Sequence, residues 1–421
     1  MPDSIKPKRI LVLLIGEVLE DPRVYKTCIS LSENGSDVTV ACTNPSMRKK
    51  TETHSNLSIV RFPHPKEFII KRLFGFLQGK LHRSVGRILS EVHEGVSTSS
   101  VKTVLRNYVL NLNAAHYMNS SLKINRMMAK AFADDSFDLV HCNDVNTLSA
   151  GCALRNSGAA EEMLYDSHEY WTGMGIVGSI SNAMLREAEE DGIRSADYVV
   201  TVNPMIAGLL QEQYGLSRVP SVVMNCPYRY DGEVRADEIH SPARIIFQGK
   251  MQAYRGLEKL ILAFKHIEGG VLTMSGYGPL AERLEALARI EKLSDKVMFT
   301  GRYNPKESTA ILSGHDIGII TFEGMIPNNM YSSPNKLFEY AMSGLAIAAS
   351  DLPFLAGVIK KNEMGELFGE ITPESIAETL NGMIADTERL KKFKINARAA
   401  GVEKFSWKDQ FLKNYPWKPE E

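Results

Sequence analysis

The sequence predicts an α/β protein made of two doubly wound, Rossmann-like domains. A short apolar run at 9–16 is typical of a strand that is buried on both faces of a parallel sheet. A helix pattern follows at 22–35, opening with Pro and closing with Asn-Gly, and a second strand pattern covers 37–42. These three elements form a βαβ unit. The same alternation continues along the chain and restarts after a polar stretch at 228–243.

The two series of alternating patterns define the predicted domains. The polar stretch is interpreted as an interdomain linker, with a first domain at 1–232 and a second at 243–402. The later patterns of the first domain are strands at 137–142, 162–166, 196–202 and 221–225 and helices at 147–155 and 205–214. Those of the second are strands at 244–247, 271–275, 297–300, 316–321 and 346–350 and helices at 257–266, 280–291, 305–313, 335–342 and 373–385. Two such domains are expected to face each other across a cleft.

The composition excludes several classes of protein. The 421 residues carry 49 Lys and Arg against 50 Asp and Glu, a net charge of −1, whereas a dedicated nucleic-acid binder is usually basic. Five scattered cysteines without a CxxC motif predict reduced thiols rather than disulfides or a zinc site. No apolar run approaches the roughly 18 residues of a membrane span, and the first run is too short for a secretory signal. We therefore expect a soluble, cytoplasmic protein that binds no nucleic acid.

One basic segment departs from this neutral balance. Residues 66–130 contain 11 Lys or Arg and 3 Asp or Glu. Within it, apolar residues recur at helical spacing, with basic residues interleaved: Ile70, Leu73, Phe74, Leu77, Leu81, Val85 and Ile88, with Lys71, Lys80, Arg83 and Arg87. The pattern predicts either an ordinary amphipathic helix packed on the first domain or a peripheral contact with anionic lipid at the inner face of the membrane.

A glycine turn follows the first predicted strand of the second domain, at 249–256. Glycine at the carboxyl end of a strand, here Gly249, lets backbone amides approach an anion. Lys250 and Arg255 are spaced to straddle a diphosphate, and arginine forms two parallel hydrogen bonds with phosphate oxygens. The segment predicts a diphosphate site, and a solvated loop with incidental charges is the alternative.

A second glycine turn follows the next predicted strand, at 275–281. It fits the dinucleotide pattern G-x-G-x-x-A, and Arg302 beyond the following strand would suit the extra phosphate of NADP. However, the turn lies in the middle of the domain, and Pro279 is typical of a simple helix start. We therefore favour a turn that lines a nucleotide pocket, with Gly276 at the nucleotide, over nicotinamide binding.

The segment 332–344 combines helix-start residues with polar groups that suit a nucleotide. Ser and Pro before the helical run place backbone amides at its beginning, where they attract anions. Glu339 lies one turn inside the helix, where its carboxylate would accept two ribose hydroxyls. The residues predicted to bind a nucleotide here are Ser333, Pro334, Asn335, Lys336, Leu337 and Glu339. A plain capped surface helix is the alternative.

In the first domain, His168 follows a predicted strand at the end where open α/β sheets bind ligands. This placement predicts a functional histidine, while Asp144, at a similar strand end, is expected to cap a loop. The motifs Asp-x-Asp, HExxH, GxxxxGK[ST] and GxSxG are all missing. Metal-dependent sugar transfer, zinc hydrolysis and serine-type acyl transfer are therefore disfavoured, and we expect no metal and no cofactor.

These motifs, in this order and spacing, resemble the retaining GT-B glycosyltransferases of glycosyltransferase family 4 over nearly the whole chain. The segment 249–256 is similar to the family's diphosphate motif, with Lys250 and Arg255 in exchanged positions. Residues 21–24 look like its first acceptor-side loop. Further stretches that resemble the family are 141–144, 166–169, 196–203, 275–279 and 297–302.

The chain departs from the family at the paired glutamates E-x7-E. Glu339 matches the second glutamate, which the family uses on the nucleotide ribose. Tyr331 stands eight residues earlier in place of the first, and the sequence 332–334, Ser-Ser-Pro, replaces the usual Gly-Phe-Gly. The departure concerns how sugar hydroxyls are held, and hence which sugar is donated.

The resemblance implies a hexosyltransferase of polysaccharide or glycolipid biosynthesis. It would move a sugar from a nucleotide diphosphate sugar, with UDP favoured, to an acceptor hydroxyl of a glycan or lipid-linked acceptor, retaining the anomeric configuration without metal. Lys250 and Arg255 would stabilise the leaving diphosphate, and His168 would orient the sugar. Gly16 joins the donor-binding residues, and the segment 403–421 would cross back onto the first domain.

Two other functions remain open at this point. A nucleotide-sugar 2-epimerase shares the two-domain architecture but needs acid and base groups around the sugar, of which this sequence offers few. A non-catalytic nucleotide-sugar-binding protein is the second, since Tyr331 replaces a glutamate of the family. Analysis of products would separate them, because an epimerase returns an isomeric nucleotide sugar and a transferase releases the nucleoside diphosphate.

Overall fold

The computed structural model describes residues 8–44, 49–63, 118–174 and 179–417. Its internal contacts divide the chain into two α/β units, in agreement with the predicted fold class. The first unit comprises Met1–Thr201, Gly208–Ser221 and Pro416–Glu421, and the second comprises Val202–Ala207 and Val222–Tyr415.

The first unit contains an eight-stranded sheet in the order β3-β4-β2-β1-β5-β6-β7-β8. Its strands are β1 Arg9–Leu13, β2 Asp37–Asn44, β3 Lys50–His54, β4 Leu57–Pro63, β5 Phe137–Asn143, β6 Ala160–Ser167, β7 Tyr198–Thr201 and β8 Ser221–Val222. The pairs from β4 to β7 are parallel, and β3 joins β4 antiparallel at the edge. Strand order reverses direction between β1 and β5, and this switch point is where such sheets bind ligands.

Helices connect the strands of this unit, beginning with α1 at Pro22–Glu33. The carboxylate of Asp21 accepts hydrogen bonds from two backbone amides of its first turn, and Pro22 occupies the first helical position. The other helices are α2 at 118–131, α3 Leu148–Asn156, α4 Ser179–Ser195 and α5 Pro204–Tyr214, the last of which begins in the second unit. The basic segment predicted at 66–130 lies outside the described residues as far as residue 117, and its remainder belongs to α2.

A buried carboxyl group joins three elements of the first unit. Glu189 on α4 is fully buried and accepts hydrogen bonds from the hydroxyls of Tyr165, at 2.5 Å, and Tyr214, at 2.7 Å. Burial disfavours the carboxylate and raises the pKa of Glu189 to about 7. The group therefore couples the packing of α4, β6 and α5 to pH.

The second unit contains a six-stranded parallel sheet in the order β11-β10-β9-β12-β13-β14. Its strands are β9 Ala243–Lys250, β10 Gly270–Tyr277, β11 Val297–Gly301, β12 Ile317–Ile320, β13 Ala346–Ser350 and β14 Gly365–Phe368. This is the doubly wound order, and its switch point lies between β9 and β12. On β9, Ile246 and Phe247 belong to different core clusters, one on each face of the sheet.

Nine helices are described in this unit beyond α5. They are α6 Leu257–Ala263, α7 Ala281–Ile290, α8 Ser308–Leu312, α9 Pro327–Tyr331, α10 Asn335–Met342, α11 Pro353–Lys361, α12 Pro373–Ala385, α13 Thr387–Glu403 and α14 Trp407–Asn414. The bounds predicted for α10 and α12 are confirmed to the residue. None of the helices in the described parts of the chain is both long and apolar enough to span a bilayer.

The polar stretch predicted as a linker is held against α13 within the second unit. The Arg398 guanidinium donates to the carbonyl of Tyr230 at 2.7 Å, and the Lys394 ammonium donates to the carbonyl of Glu238 at 2.5 Å. Near the end of the chain, the Trp417 indole donates to Glu162 of the first unit at 2.8 Å. The stretch therefore packs as a part of the second unit, and the chain returns to the first unit after α14.

Candidate functional site

The loops that leave β9 and β12 meet at the switch point of the second sheet. The backbone amide of Glu323 donates to the carbonyl of Tyr254 at 3.1 Å, and the hydroxyl of Thr321 donates to the carbonyl of Arg255. These bonds bring the predicted diphosphate loop, 249–256, to the carboxyl edge of β12. The loop therefore lies where the topology of the sheet favours ligand binding.

The two glycine turns predicted from the sequence pack directly against each other. Gly249 and Gly276 are partners in the β9–β10 register, with φ of +141° and +152°. A Cβ atom on Gly276 would lie 1.9 Å from the Gly249 carbonyl oxygen, and one on Gly278 would lie 2.2 Å from the Met251 carbonyl oxygen. Glycine is required at 276 and 278 because another backbone passes there, a reason that the sequence pattern does not disclose.

Two cations lie against aromatic rings at this edge. The Arg255 guanidinium carbon is 3.6 Å from the centroid of Phe322, and the Lys336 ammonium is 4.0 Å from that of Phe247 and 5.4 Å from that of Phe322. Aromatic faces stabilise cations in this arrangement. A Cβ on Gly249 would come 3.3 Å from the Lys336 ammonium, so the first glycine turn and this lysine are neighbours.

The structure thus joins Arg255 and Lys336, which the sequence placed in two separate motifs. The pKa of Lys336 lies well below its ordinary value because burial disfavours the charged form and the Arg255 guanidinium repels it, while Glu339 acts in the opposite direction. Lys250 is exposed at the end of β9, opposite Tyr277 in the β9–β10 register. Three basic side chains, Arg255, Lys336 and Lys250, therefore lie at this edge of the sheet, and burial disfavours the charge on Lys336.

The start of α10 differs in detail from the prediction. Pro334 is the N-cap, and no side chain caps the helix. The hydroxyl of Ser333 instead donates to the carbonyl of Val202 at 3.3 Å, so Ser333 is not the capping residue that the motif suggested. Because the first-turn amides are not capped by a side chain, they can serve an anion.

Two of the donor-binding residues predicted on α10 differ from each other in burial. Asn335 is exposed, and its side-chain oxygen accepts a hydrogen bond from Asn225 at 3.1 Å. Leu337 is completely buried in a core cluster of the second unit, and its amide donates to the Pro334 carbonyl. Leu337 stays a predicted donor-binding residue, and with its side chain in the core only its backbone is left for such a contact.

Beside this cluster, aromatic residues that the sequence analysis missed contact the predicted ones. The guanidinium of Arg302 lies 4.1 Å from the centroid of Tyr277, a half-exposed ring at the end of β10. Burial and then the charge of Glu339 raise the pKa of Tyr303 to about 12. Tyr277 was visible in the sequence as an aromatic between two turn glycines, and Tyr303 as the residue after Arg302.

A separate polar cluster lies at the carboxyl ends of β5 and β6 in the first unit. His168 lies between two carboxylates, with Nδ1 3.4 Å from Asp144 and Nε2 3.4 Å from Asp166. Asp144 also accepts hydrogen bonds from the amide of His168 and the indole of Trp171, as a loop-capping residue does. Arg23, which was not singled out in the sequence, forms a buried ion pair with Asp166.

Gly16 lies in the first unit just beyond β1, where its carbonyl accepts a hydrogen bond from the amide of Thr43 at 2.9 Å. A Cβ at this position would make only ordinary contact with Leu14, at 3.6 Å. Nothing in the local backbone therefore requires glycine at residue 16. Among the residues that the structure describes, no group of three or more His, Cys, Asp or Glu side chains is arranged to hold a metal ion.

Known proteins resemble both the sequence and the fold. Residues 234–400 match the family model of the glycosyl transferases group 1. An uncharacterized glycosyltransferase of Methanocaldococcus jannaschii is 23% identical over 297 residues, which cover 65% of this chain and 73% of that protein.

Two solved structures cover nearly the whole chain. Sucrose-phosphate synthase from Thermosynechococcus elongatus has a TM-score of 0.71 at 16% identity, covering 96% of this chain and 97% of that chain. HepE of Anabaena, in complex with UDP, has a TM-score of 0.62 at 13% identity, covering 96% of this chain and 98% of that chain. At these identities the likeness shows the GT-B fold.

Proposed function

Residues 234–400 form a glycosyl transferases group 1 domain, and from this premise we propose that the protein is a retaining, metal-independent glycosyltransferase. It moves a sugar from a nucleotide diphosphate sugar to an acceptor hydroxyl. UDP is the favoured nucleotide, and the crystal structures of HepE with UDP and with UDP-glucose support this choice by likeness of fold. Formation of a polysaccharide or a glycolipid is the proposed context.

The observation that carries this proposal is the pair of cations, Arg255 and Lys336, gathered at the switch point of the second sheet. Both approach the same ring, Phe322, at 3.6 and 5.4 Å. Two like charges held together in a partly buried place repel each other, and the lowered pKa of Lys336 reflects this repulsion as well as burial. A bound diphosphate would relieve it, so the cluster suits a ligand with two or more negative charges.

The proposed chemistry uses these cations on the leaving group. The bond between the anomeric carbon and the diphosphate oxygen breaks, and the acceptor oxygen bonds to that carbon on the same face. The leaving phosphate takes the acceptor proton, so no side-chain base is needed. Lys250, Arg255 and Lys336 stabilise the charge that grows on the diphosphate, and the first-turn amides of α10 add to this potential. No step requires a metal, and activity is expected to survive treatment with EDTA.

The remaining groups of the second unit suit the nucleoside. For Glu339, one turn into α10, we propose that its carboxylate accepts hydrogen bonds from the ribose hydroxyls. The exposed ring of Tyr277, with Arg302 beside it, offers a flat surface on which a base stacks. Gly276 brings this turn against the diphosphate loop without a side chain in between.

In the first unit we propose that His168 contacts substrate through a sugar hydroxyl. Its side chain is 13% exposed, while Nε2 is buried on the side of Asp166, so the proposed contact uses the exposed part of the ring. Glycan or lipid-linked alcohols are the proposed acceptors. Contact with anionic lipid through the basic segment at 66–130, at the cytoplasmic face of a membrane, remains part of the proposal. Co-sedimentation with vesicles that contain phosphatidylglycerol tests it, and the absence of binding would contradict it.

The first experiment is thermal stabilisation by UDP, GDP, ADP, CMP and NADP. A ligand at a hundredfold excess over its Kd stabilises the folded protein by about 2.7 kcal/mol. We expect one nucleoside diphosphate to stabilise the wild type and to lose its effect on Glu339→Ala. Glu378→Ala, which changes an exposed glutamate on α12, is the matched control and should respond like the wild type. Stabilisation by NADP alone, or by none of the five, would contradict the proposed site.

Product analysis then separates the transferase from its alternatives. Incubation with the stabilising nucleotide sugar and candidate acceptors should release the nucleoside diphosphate and form a glycoside with the anomeric configuration of the donor. Appearance of an isomeric nucleotide sugar would instead identify an epimerase. Tight binding without turnover, across acceptors of both classes, would favour a non-catalytic binding protein.

A further inference from the structure

The first unit contains a buried ion pair that joins distant parts of the chain. The Arg23 guanidinium donates two hydrogen bonds to Asp166, from Nε at 3.0 Å and from Nη2 at 2.7 Å. The two side chains are 3% and 1% exposed. A two-pronged contact of this kind fixes the plane of the carboxylate as well as its distance.

The position of Arg23 follows from the start of α1. The carboxylate of Asp21 caps the helix by accepting from the amides of Arg23 and Val24, each at 3.0 Å, and Pro22 sets the first helical residue. The loop after β1 ends in this cap, β5 lies next to β1 in the sheet, and β6 lies next to β5. The guanidinium is thereby carried to the carboxyl end of β6.

The same carboxylate contacts two histidines. Asp166 Oδ2 is 3.4 Å from His168 Nε2 and 3.7 Å from His141 Nε2. On the other side of the ring, His168 Nδ1 faces Asp144, whose backbone has φ of +61° and whose carboxylate is tied to the following loop. The imidazole of His168 thus lies between two carboxylates. Asp166 is held by hydrogen bonds from Arg23, and Asp144 by hydrogen bonds from the loop that follows β6.

We propose that Arg23 is a positioning residue for His168. By donating two hydrogen bonds to Asp166, Arg23 fixes one of the two carboxylates that orient the imidazole. The positive charge of Arg23 also lowers the proton affinity of the ring. The inference rests on the proposed function, in which His168 contacts substrate. Because the Arg23 side chain is only 3% exposed, we place its action on Asp166 and not on a reacting atom.

The charges around the ring determine in which direction the pKa of His168 should change when Arg23 is replaced. Among the residues that the structure describes, the carboxylates of Asp144 and Asp166 lie against His168, and the Arg23 guanidinium and the His141 imidazole lie against Asp166. Burial alone would lower the pKa of His168, but the carboxylates of Asp144 and Asp166 outweigh it and raise the pKa to about 9, while Arg23 opposes this rise. Loss of the positive charge at residue 23 should therefore raise the pKa of His168 further.

The test compares Arg23→Lys and Arg23→Met with the wild type. Arg23→Lys keeps the positive charge but loses the paired hydrogen bonds to Asp166. We expect kcat to fall by about tenfold to a hundredfold, as for a catalytic group displaced by about 1 Å. KM for the donor should change little. Arg23→Met loses both, so the pKa of His168 should also rise, because the positive charge that opposes its protonation is gone. The pKa is read from the imidazole NMR resonances of histidine-labelled protein, and the alkaline limb of the kcat profile should move with it.

The matched control is Arg155→Lys, which changes an arginine in an exposed ion pair with Asp197 of the same unit. It should leave kcat and the pKa of His168 unchanged. A folded Arg23→Lys protein with wild-type kcat would overturn the proposal, even if Arg23→Met does not fold. If the wild type transfers no sugar, the proposed function fails, and the His168 pKa in the Arg23 variants still decides whether Arg23 governs the ring.

Discussion

Replacement of Gly276 by alanine probes the contact between the two glycine turns. In the native backbone a Cβ on Gly276 would lie 1.9 Å from the Gly249 carbonyl oxygen, whereas real Cβ atoms essentially never come closer than 3.0 Å. The two turns must therefore move apart by about 1.1 Å, the difference between these distances. Alanine at φ of +152° adds backbone strain of about 1–3 kcal/mol.

The displacement acts directly on the proposed diphosphate site. Gly249 lies beside Lys336, with 3.3 Å between its Cβ position and the ammonium, and the loop that follows it carries Arg255. A shift of about 1 Å in a positioned group costs about a hundredfold in rate. We therefore expect Gly276→Ala to lower kcat/KM by about a hundredfold and to abolish thermal stabilisation by UDP, as measured by release of nucleoside diphosphate and by melting with and without UDP.

The control for this variant is Gly382→Ala. Gly382 lies inside α12 of the same unit, and a Cβ there would meet nothing within 4 Å. Because alanine favours the helix over glycine by about 1 kcal/mol, this variant should be slightly more stable than the wild type and equally active. A folded Gly276→Ala protein with wild-type kcat/KM would refute the argument that the approach of the two turns positions the site.

Three further predictions follow from groups with perturbed surroundings. Because the pKa of Lys336 lies below its ordinary value and a bound diphosphate would raise it, UDP binding should take up protons through Lys336 at pH values between the free and the bound pKa. Calorimetry at a series of pH values above about 7, where UDP is fully ionised, in two buffers of different ionisation enthalpy should show this uptake, and Lys336→Met should lose it. Tyr277→Ala should weaken UDP binding about tenfold, a stacking contribution of 1–3 kcal/mol, and leave inorganic diphosphate binding unchanged in competition assays. Burial raises the pKa of Glu189 to about 7 in the folded protein from its ordinary value of 4.5, so the folded state binds more protons between these values and the free energy of unfolding falls as pH rises through them. Glu189→Gln should remove this loss, which is about 3 kcal/mol at 1.36 kcal/mol per pKa unit. The free energy of unfolding is measured with denaturant at pH 5 and pH 8, and an equal change between the two pH values in both proteins would contradict the prediction.

Local patterns predicted most of the second unit correctly. The helix α10 begins after Ser-Ser-Pro, and α12 begins with Pro373 after the capping Thr372, whose hydroxyl accepts from the amide of Ser375. Such signals involve residues three or four apart, so they act before any tertiary contact forms. The strands β9, β10 and β13 are buried over most of their length and mainly apolar, because parallel strands are covered on both faces.

Some of the elements that escaped prediction lack such signals, whereas others carry them, since α13 begins after the capping Asp386 and α14 after the capping Ser406. The strand β3, Lys-Thr-Glu-Thr-His, is polar and mostly exposed, and it exists as the antiparallel edge partner of β4. A strand of this kind is formed by its neighbour's unpaired backbone groups, not by its own side-chain pattern. The short helix α9 and the strand β14 likewise offer only five and four residues, too few for a period to show.

The candidate site also has a part that local sequence patterns predict and a part that only the tertiary structure assembles. Glycines at strand ends and cations beside them are visible in the sequence because turn geometry and anion binding need particular residue types at short spacing. Which cations share a site was decided by the strand order, which brings Arg255 after β9 and Lys336 after β12 to one edge. The aromatic rings under them, Phe247 and Phe322, look like ordinary core residues in the sequence.

The sequence by itself therefore determined the fold class, the helix starts and the residue types at the strand ends, since each depends on neighbours along the chain. The tertiary structure decided the pairings: Lys336 with Arg255 across one sheet, and Arg23 with Asp166, 143 residues apart, across the other. Contacts of that separation depend on strand order. Strand order is set by how whole βαβ units pack, and no local pattern records it.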